Sequence, residues 1–404
     1  MSEPIARYQL SGFPQNPERD SITIGGIKVP RYVGEFWTAK QRQSSSIHEI
    51  SYRACFKAQL PRFFIELLTR ENETVYDPFS GRGTTVIEAA LLGRRIIAND
   101  ANPLSTVLSR PRLSIPDLDK LEKRLRSIRI NARAKADTEL SMFYHPKTEA
   151  EVVSIKRYLD RRSQANKEDD LDRWIRMVAT NRLTGHSKGF FSVYTLPPNQ
   201  AVSQRSQIKI NKKLRQRPEY RNTKVIILGK SRDLVRDLKE PHIRNLKRAA
   251  KTARFFTGDA SKTRTIRTHS VKLSVTSPPF LNVVQYANDN WLRCWFNSID
   301  MKATGNSLTM TSDLTEWSFA MEDVFTELYR ITQPGGWVAF EVGEVRNGSI
   351  KLEETIIPLA TVVGFHCEGI IINSQEFTKT SNIWGVRNNS RGTNTNRIAL
   401  FFKP

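Results

Sequence analysis

The stretch from Glu73 to Asp100 constrains this chain more than any other. An apolar run ending in an acid, Glu73–Asp77, meets the turn Pro78-Phe79-Ser80-Gly81-Arg82-Gly83. Thr84–Leu92 follows at helical spacing, then Gly93 where a helix C-cap favours glycine, then a second apolar run, Arg95–Asp100. Strand, glycine turn, helix and strand make the opening βαβ unit of a parallel sheet. The expected fold class is therefore α/β.

The same punctuation returns late in the chain. Arg254–Thr257 and Lys272–Thr276 are short apolar runs, Leu314–Thr332 has helical spacing, and Pro334-Gly335-Gly336 turns into Trp337–Val342. Cys367–Ile372 and Arg397–Phe402 flank a polar loop and read as a closing antiparallel pair. The sheet is expected to be mostly parallel with that one antiparallel closure. At the N-terminal end, the first forty residues, with Gly12, Pro14, Pro17, Gly25, Gly26 and Pro30, read as an extended arm with short strands. Arg53–Thr69 reads as a helix, with Leu60, Phe63, Phe64, Leu67 and Leu68 on helical spacing.

Between the two halves the texture changes. From about Pro111 to Thr252 the chain reads as helical and basic, with Leu118, Leu121, Leu125 and Ile128 on one stripe. Between Gln204 and Arg254 stand 17 Lys/Arg against 4 Asp/Glu, more than half of the net charge of +22. Charge so concentrated repels itself unless a polyanion neutralises it, and nucleic acid is the expected partner. Lys212, Lys213, Arg215 and Arg217 read as phosphate contacts; a solvated helical face is the plain alternative. Three parts are expected: 1–110, the arm and first part of the sheet domain; 111–252, an inserted basic recognition domain; and 253–404, the second part of the sheet domain.

Composition excludes several classes. The three cysteines, Cys55, Cys294 and Cys367, form no CxxC, and the 6 His show no HxxxH or HxH spacing, so neither a disulfide scaffold nor a zinc site is expected. No run approaches the length of a membrane span, and the start lacks a signal-peptide layout. A soluble, cytoplasmic protein is expected.

Three strings carry chemistry. In Asp77-Pro78-Phe79-Ser80-Gly81-Arg82-Gly83-Thr84-Thr85, the glycines let a ligand approach the backbone, and the free N–H groups of the next helix suit a carboxylate. The GK[ST] of a phosphate loop is absent. Asp100, ending the second strand, can accept both hydroxyls of a ribose; the alternative is a helix N-cap. In Thr276-Ser277-Pro278-Pro279-Phe280, two prolines remove two N–H donors and leave carbonyls and a hydroxyl in the cleft, which suits an amine. Phe280 offers a stacking surface for a base taken out of the duplex.

DPFSGRGTT and TSPPF resemble motifs I and IV of the DNA amino-methyltransferases, which methylate N4 of cytosine or N6 of adenine. The resemblance implies a Rossmann-like methyltransferase sheet at both ends of the chain and S-adenosylmethionine as cofactor. It implies cofactor contacts from Asp77, Phe79, Gly81, Gly83, Thr84, Thr85, Asp100 and Asp259, the last in a motif III-like Gly258-Asp259-Ala260. His48–Pro61, with Phe56, Lys57 and Gln59, stands where the family keeps the motif that closes over the methionine part of the cofactor. Ser277, Pro278, Pro279 and Phe280 are the implied catalytic residues, and the SPP[YF] form is typical of the N4-cytosine branch. Arg82 departs from the small residue common in motif I, and faces either phosphate or solvent.

The resemblance places Trp384 and Arg387 beside the target base. In Leu183–Gln200, Lys188, Asn199 and Gln200 are the candidate base readers, with Phe190, Phe191 and Tyr194 able to hold strands apart; the plain alternative is that Phe190 and Tyr194 are the core of this domain. None of the cysteines has the setting of a C5-methylation nucleophile, and no metal is required. The resemblance leaves two settings open, a pair with a cognate restriction endonuclease or an enzyme that acts alone. Three alternatives stay open: an N6-adenine enzyme, an RNA base N-methyltransferase, and a DNA-binding module with a degenerate cofactor pocket.

Overall fold

A computed structural model describes residues 17–37, 44–52, 55–195, 201–279, 286–300, 311, 313–345, 350–374 and 395–404. Strands β1 (Glu18–Ile24) and β2 (Ile27–Gly34) form a hairpin on Gly25-Gly26, whose φ values of 56° and 80° suit a two-residue turn. Helix α1 (Gln59–Leu68) leads to β3 (Thr74–Asp77), α2 (Thr84–Leu91) and β4 (Arg95–Asp100). A helical stretch then occupies the chain up to β5 (Arg254–Thr257). Its members are α3 (Leu104–Ser109), α4 (Leu118–Ser127), α5 (Pro146–Gln164), α6 (Asp170–Arg182), α7 (Gln204–Leu214), α8 (Thr223–Val235) and α9 (Glu240–Ala250).

The sheet resumes with β6 (Val271–Thr276), α10 (Tyr286–Phe296), α11 (Leu314–Ile331) and β7 (Thr332–Val342). A small hairpin, β8 (Glu344–Val345) and β9 (Ile350–Lys351), precedes α12 (Leu352–Val363), β10 (His366–Ser374) and β11 (Thr395–Phe402). The main sheet has nine strands in the order β1-β2-β10-β11-β7-β6-β3-β4-β5. From β7 to β5 every pairing is parallel, and β11 runs antiparallel to both β7 and β10.

Successive residues explain why the strands read as unbroken apolar runs. Val75 and Ile96 join the core on one face, with Phe64 of α1 and Val86 of α2. Their neighbours Tyr76 and Ile97 join the core on the other, with Phe325 of α11 and Ile356 of α12. A sheet covered on both faces has no polar side to alternate with.

Two expectations are corrected. The N-terminal stretch, in its described part, has the expected short strands but does not stand apart from the sheet: β2 pairs in parallel with β10, from Arg31 opposite Ile370 to Gly34 opposite Asn373, so the hairpin is the sheet edge. Buried Val29 and Ile24 anchor it to the core that holds Phe340 and Phe401. The helix expected from Arg53 begins only at Gln59, because the carbonyls before it are claimed by side chains from elsewhere, as described below. Among the described residues no helix is long and apolar enough to cross a membrane.

Candidate active site

From β3 the chain moves outward to β4 and β5; when it returns it builds β6 and β7 on the other side. Strand order reverses there, and a cleft opens beyond the carboxyl ends of the parallel strands. A cavity fills it. Asp77 closes β3, Asp100 closes β4, Gly258 and Asp259 follow β5, and Ser277, Pro278 and Pro279 follow β6, all lining this one space. Tyr52, Cys55 and Phe56 form a further wall, and Met321 and Val324 of α11 an apolar one.

The glycine turn is held by its neighbours. Gly81 N–H donates to Asp100 Oδ2 at 2.7 Å, and Asn102 N–H to Oδ1 at 2.8 Å. Asp100 is therefore no helix N-cap; its carboxylate ties the turn to the end of β4 and faces the cavity. Burial pushes its pKa up to about 6, against the pull of those two N–H groups. Gly83 precedes α2 at φ 78°, and a Cβ there would stand 2.4 Å from Ser109 Cβ. Asp77 is fully buried and accepts from Thr276 Oγ1 at 2.6 Å and from Phe79 N–H at 3.2 Å. Burial still pushes it up to about 7.

The loop after β6 has partners that sequence reasoning missed. Thr276 lies opposite Phe340 of β7, so Ser277 and Glu341 follow on adjoining strands. The Ser277 hydroxyl is within hydrogen-bonding reach of the Glu341 carboxylate, which also accepts from Asn396 Nδ2. Burial pushes Glu341 up to about 7, with both hydrogen bonds opposing. A hydroxyl donating to a carboxylate keeps its lone pairs for an incoming N–H. Trp317, buried on α11, donates its indole N–H to the Pro279 carbonyl at 3.0 Å. The only sequence signal for Glu341 was a carboxylate inside an apolar strand, Trp337–Val342.

The other expected residues divide. Phe56, Phe79, Gly81, Thr84, Asp100 and Asp259 line the cavity. Asp259 accepts from Ser261 N–H at 2.9 Å and Ser261 Oγ at 2.8 Å. Lys57, Gln59, Gly83 and Thr85 do not line it. Lys57 is exposed, Gln59 opens α1, and Thr85 donates to the Val275 carbonyl at 3.0 Å, fastening α2 to β6. Lys188, Lys212, Lys213, Arg215 and Arg217 are exposed, away from the cavity lining, with Lys212 and Lys213 in the last turn of α7. Phe280, Trp384 and Arg387 lie outside the described residues.

Arg82 faces neither phosphate nor solvent alone. Its guanidinium donates to the carbonyls of Ile50 at 2.8 Å, Phe56 at 3.4 Å and His48 at 3.5 Å.

Comparison with known proteins fits this geometry. The family model described as DNA methylase, for N6 and N4 methyltransferases, matches residues 17–104, from the edge hairpin through the glycine turn and Asp100. The Type II methyltransferase M.MvaI of Kocuria varians is 31% identical over 97 residues, 23% of this chain and 20% of that protein. Over residues 17–104 the chain is similar to the DNA amino-methyltransferases.

A second member, the Type II methyltransferase M.MjaII of Methanocaldococcus jannaschii, is 27% identical over 86 residues, 21% of this chain and 16% of that protein. The matched segments thus span a fifth or less of these relatives' lengths. Among solved structures, a SAM-dependent methyltransferase of Methanosarcina mazei is 10% identical, covering 84% of this chain and 96% of that one, at a TM-score of 0.33. The relation rests on the hairpin and glycine-turn region shared with the family.

Proposed function

We propose that this protein transfers a methyl group from S-adenosylmethionine to the exocyclic N4 amine of cytosine in double-stranded DNA. The observation that carries the reading is that Asp100 and Ser277, which stand on separate strands, line one cavity. The cavity suits the cofactor chemically. Asp100 offers carboxylate oxygens to two ribose hydroxyls, Met321 and Val324 offer an apolar face to a flat ring, and buried acids suit a positive sulfonium.

When bound, the cofactor supplies an already electrophilic methyl group. The protein then has to orient the amine and exclude water. Ser277 accepts one amine hydrogen through its hydroxyl while donating to Glu341. Glu341 is buried behind Ser277 and outside the cavity lining, so the proton released as nitrogen becomes methylated is proposed to pass to the Ser277 oxygen as the Ser277 hydroxyl gives its own proton to the Glu341 carboxylate. Phe280 is proposed to stack on the base, and Phe56 to cover the methionine end of the cofactor.

The helical region 111–252 is proposed to recognise DNA, with the exposed cations after Ser203 on phosphates and Lys188 on bases. Trp384 and Arg387 are proposed to stand beside the target nucleotide. A restriction endonuclease is the proposed partner, and the cytoplasm the proposed setting.

The test is methyl transfer from labelled S-adenosylmethionine to genomic DNA and to total RNA, followed by nucleoside mass spectrometry. The expected product is N4-methylcytosine in DNA. N6-methyladenine would replace the base assignment, and label confined to RNA would overturn the partner.

A further inference from the structure

The cavity wall formed by Tyr52, Cys55 and Phe56 has no helix or strand at these residues, and among the described residues of 44–57 the only helical turn is Ser46–His48. Carbonyls of such a segment need donors from outside it. Arginines supply them from two sides. On the first, Arg82 donates to His48, Ile50 and Phe56, while fully buried Arg112 donates to the Ile47 carbonyl at 3.3 Å and to that of Arg82. On the second, Arg293 of α10 donates to the Ser51 carbonyl at 3.1 Å, and Asn181 of α6 donates to the same oxygen at 3.0 Å.

Arg293 is only 5% exposed. Its other bond goes to Asn290 Oδ1 at 2.9 Å, and its guanidinium lies 5.8 Å from the centre of the Tyr52 ring. Among the described residues neither Arg112 nor Arg293 hydrogen-bonds a carboxylate. Burial pulls the pKa of both down, Arg112 to about 9. The acid that acts on Arg293 is Asp289, one turn back on α10, and a buried cation that hydrogen-bonds no carboxylate is a poor way to gain stability. Two donors in one fixed plane are a good way to set a backbone.

The Ser51 carbonyl is thus a junction. On one side is the residue before Tyr52 of the cavity wall. On the other are α10, which begins seven positions after Pro279 (Tyr286 against Pro279), and α6, which belongs to the helical region before the basic helices. We infer that Arg293 is a positioning residue that couples cofactor binding to DNA binding through the Ser51 carbonyl, without itself lining the cavity. The inference rests on reading the cavity as the S-adenosylmethionine site. Any coupling of this kind is reciprocal.

The experiment measures S-adenosylmethionine affinity by calorimetry, and DNA affinity with and without cofactor, for wild type, Arg293→Met and Asn181→Ala. Thermal melting is followed for each. Met keeps the length and removes the charge, and thermal melting separates loss of the fold from loss of the bond to Ser51. Wild type should bind DNA several-fold more tightly with cofactor. Arg293→Met should weaken cofactor binding roughly tenfold, as loss of a charged hydrogen bond would, keep its cofactor-free DNA affinity, and lose the enhancement. Asn181→Ala should shift the same quantities in the same direction and to a smaller extent, which covers the case of an Arg293→Met protein that does not fold.

Cofactor affinity within twofold of wild type in both variants, with the enhancement intact, would overturn the inference and leave the cavity assignment standing. A wild type that binds no S-adenosylmethionine would overturn both.

Discussion

The Thr276 hydroxyl donates to Asp77 Oδ1 at 2.6 Å across a sequence separation of 199 residues. That bond fastens the end of β6 to the end of β3, the two strands on either side of the point where strand order reverses. It therefore sets how far Ser277, the next residue, stands from the glycine turn that begins after Asp77. Parallel neighbours can share a site only because a crossover brings distant chain segments side by side.

Ser277→Ala should lower the chemical step on the order of 100-fold, the usual worth of a positioned proton-handling group. Cofactor affinity should stay near wild type, since Ser277 follows β6 while Asp100 ends β4, two strands away in the sheet. Single-turnover rates alongside calorimetry read both. Equal loss of rate and affinity would mean a disrupted fold.

Glu341→Gln should remove a pH dependence. The carboxyl of Glu341 is pushed up to about 7 from 4.5, so the folded protein binds more protons than the unfolded chain between these values. Wild-type stability from this group falls as pH rises through that window, while its competence as a proton acceptor rises. The variant should lose the ascending limb of rate near pH 7. Its stability relative to wild type should grow from pH 4.5 towards 8, approaching about 3 kcal/mol. Denaturant melts at those pH values test the sign.

Asp100→Ala should weaken S-adenosylmethionine binding by about tenfold or more, because two ribose hydroxyls would lose a charged acceptor. Burial pushes Asp100 up to about 6, so wild-type affinity should also drop as pH falls below that value, when the carboxyl becomes protonated. Titration calorimetry from pH 5 to 8 would show a flat line for the variant and a slope for wild type.

Gly83→Ala should destabilise the fold by ~3 kcal/mol, since the new methyl meets Ser109 Cβ and φ there is +78°. Gly81→Ala meets only Tyr52 and Cys55 side chains at 3.7 and 3.8 Å, at φ +49°. Its larger effect should be on the cavity. Melting temperature and cofactor affinity separate the two variants.

Replacing Lys212, Lys213, Arg215 and Arg217 together by Gln should leave melting unchanged, because all four are exposed. If each contacts one phosphate, the slope of log affinity against log salt should shrink by about 3.6. An unchanged slope would assign these side chains to solvent.

How much was legible follows from the range of each interaction. Strands β3, β4, β5 and β7 and helices α2 and α11 could be read because apolar spacing and glycine punctuation are local properties. The start of α1 is not legible because Arg82 and its partners hold the preceding segment, and no local pattern records a carbonyl claimed from elsewhere. The short strands of the N-terminal hairpin are legible but their place at the sheet edge is not, because the partner strand, β10, comes more than three hundred residues later.

The glycine turn, the acid ending β4 and the hydroxyl-proline loop after β6 are legible from residue order alone, since each depends on residue type next to its own strand. Which of these groups meet is settled by the packing of the whole chain. Glu341 became a partner of Ser277 through strand register, and Arg293 a partner of Ser51 through helix packing. Register and packing are set by which apolar faces the whole sheet buries together, and that choice is not written in any single segment.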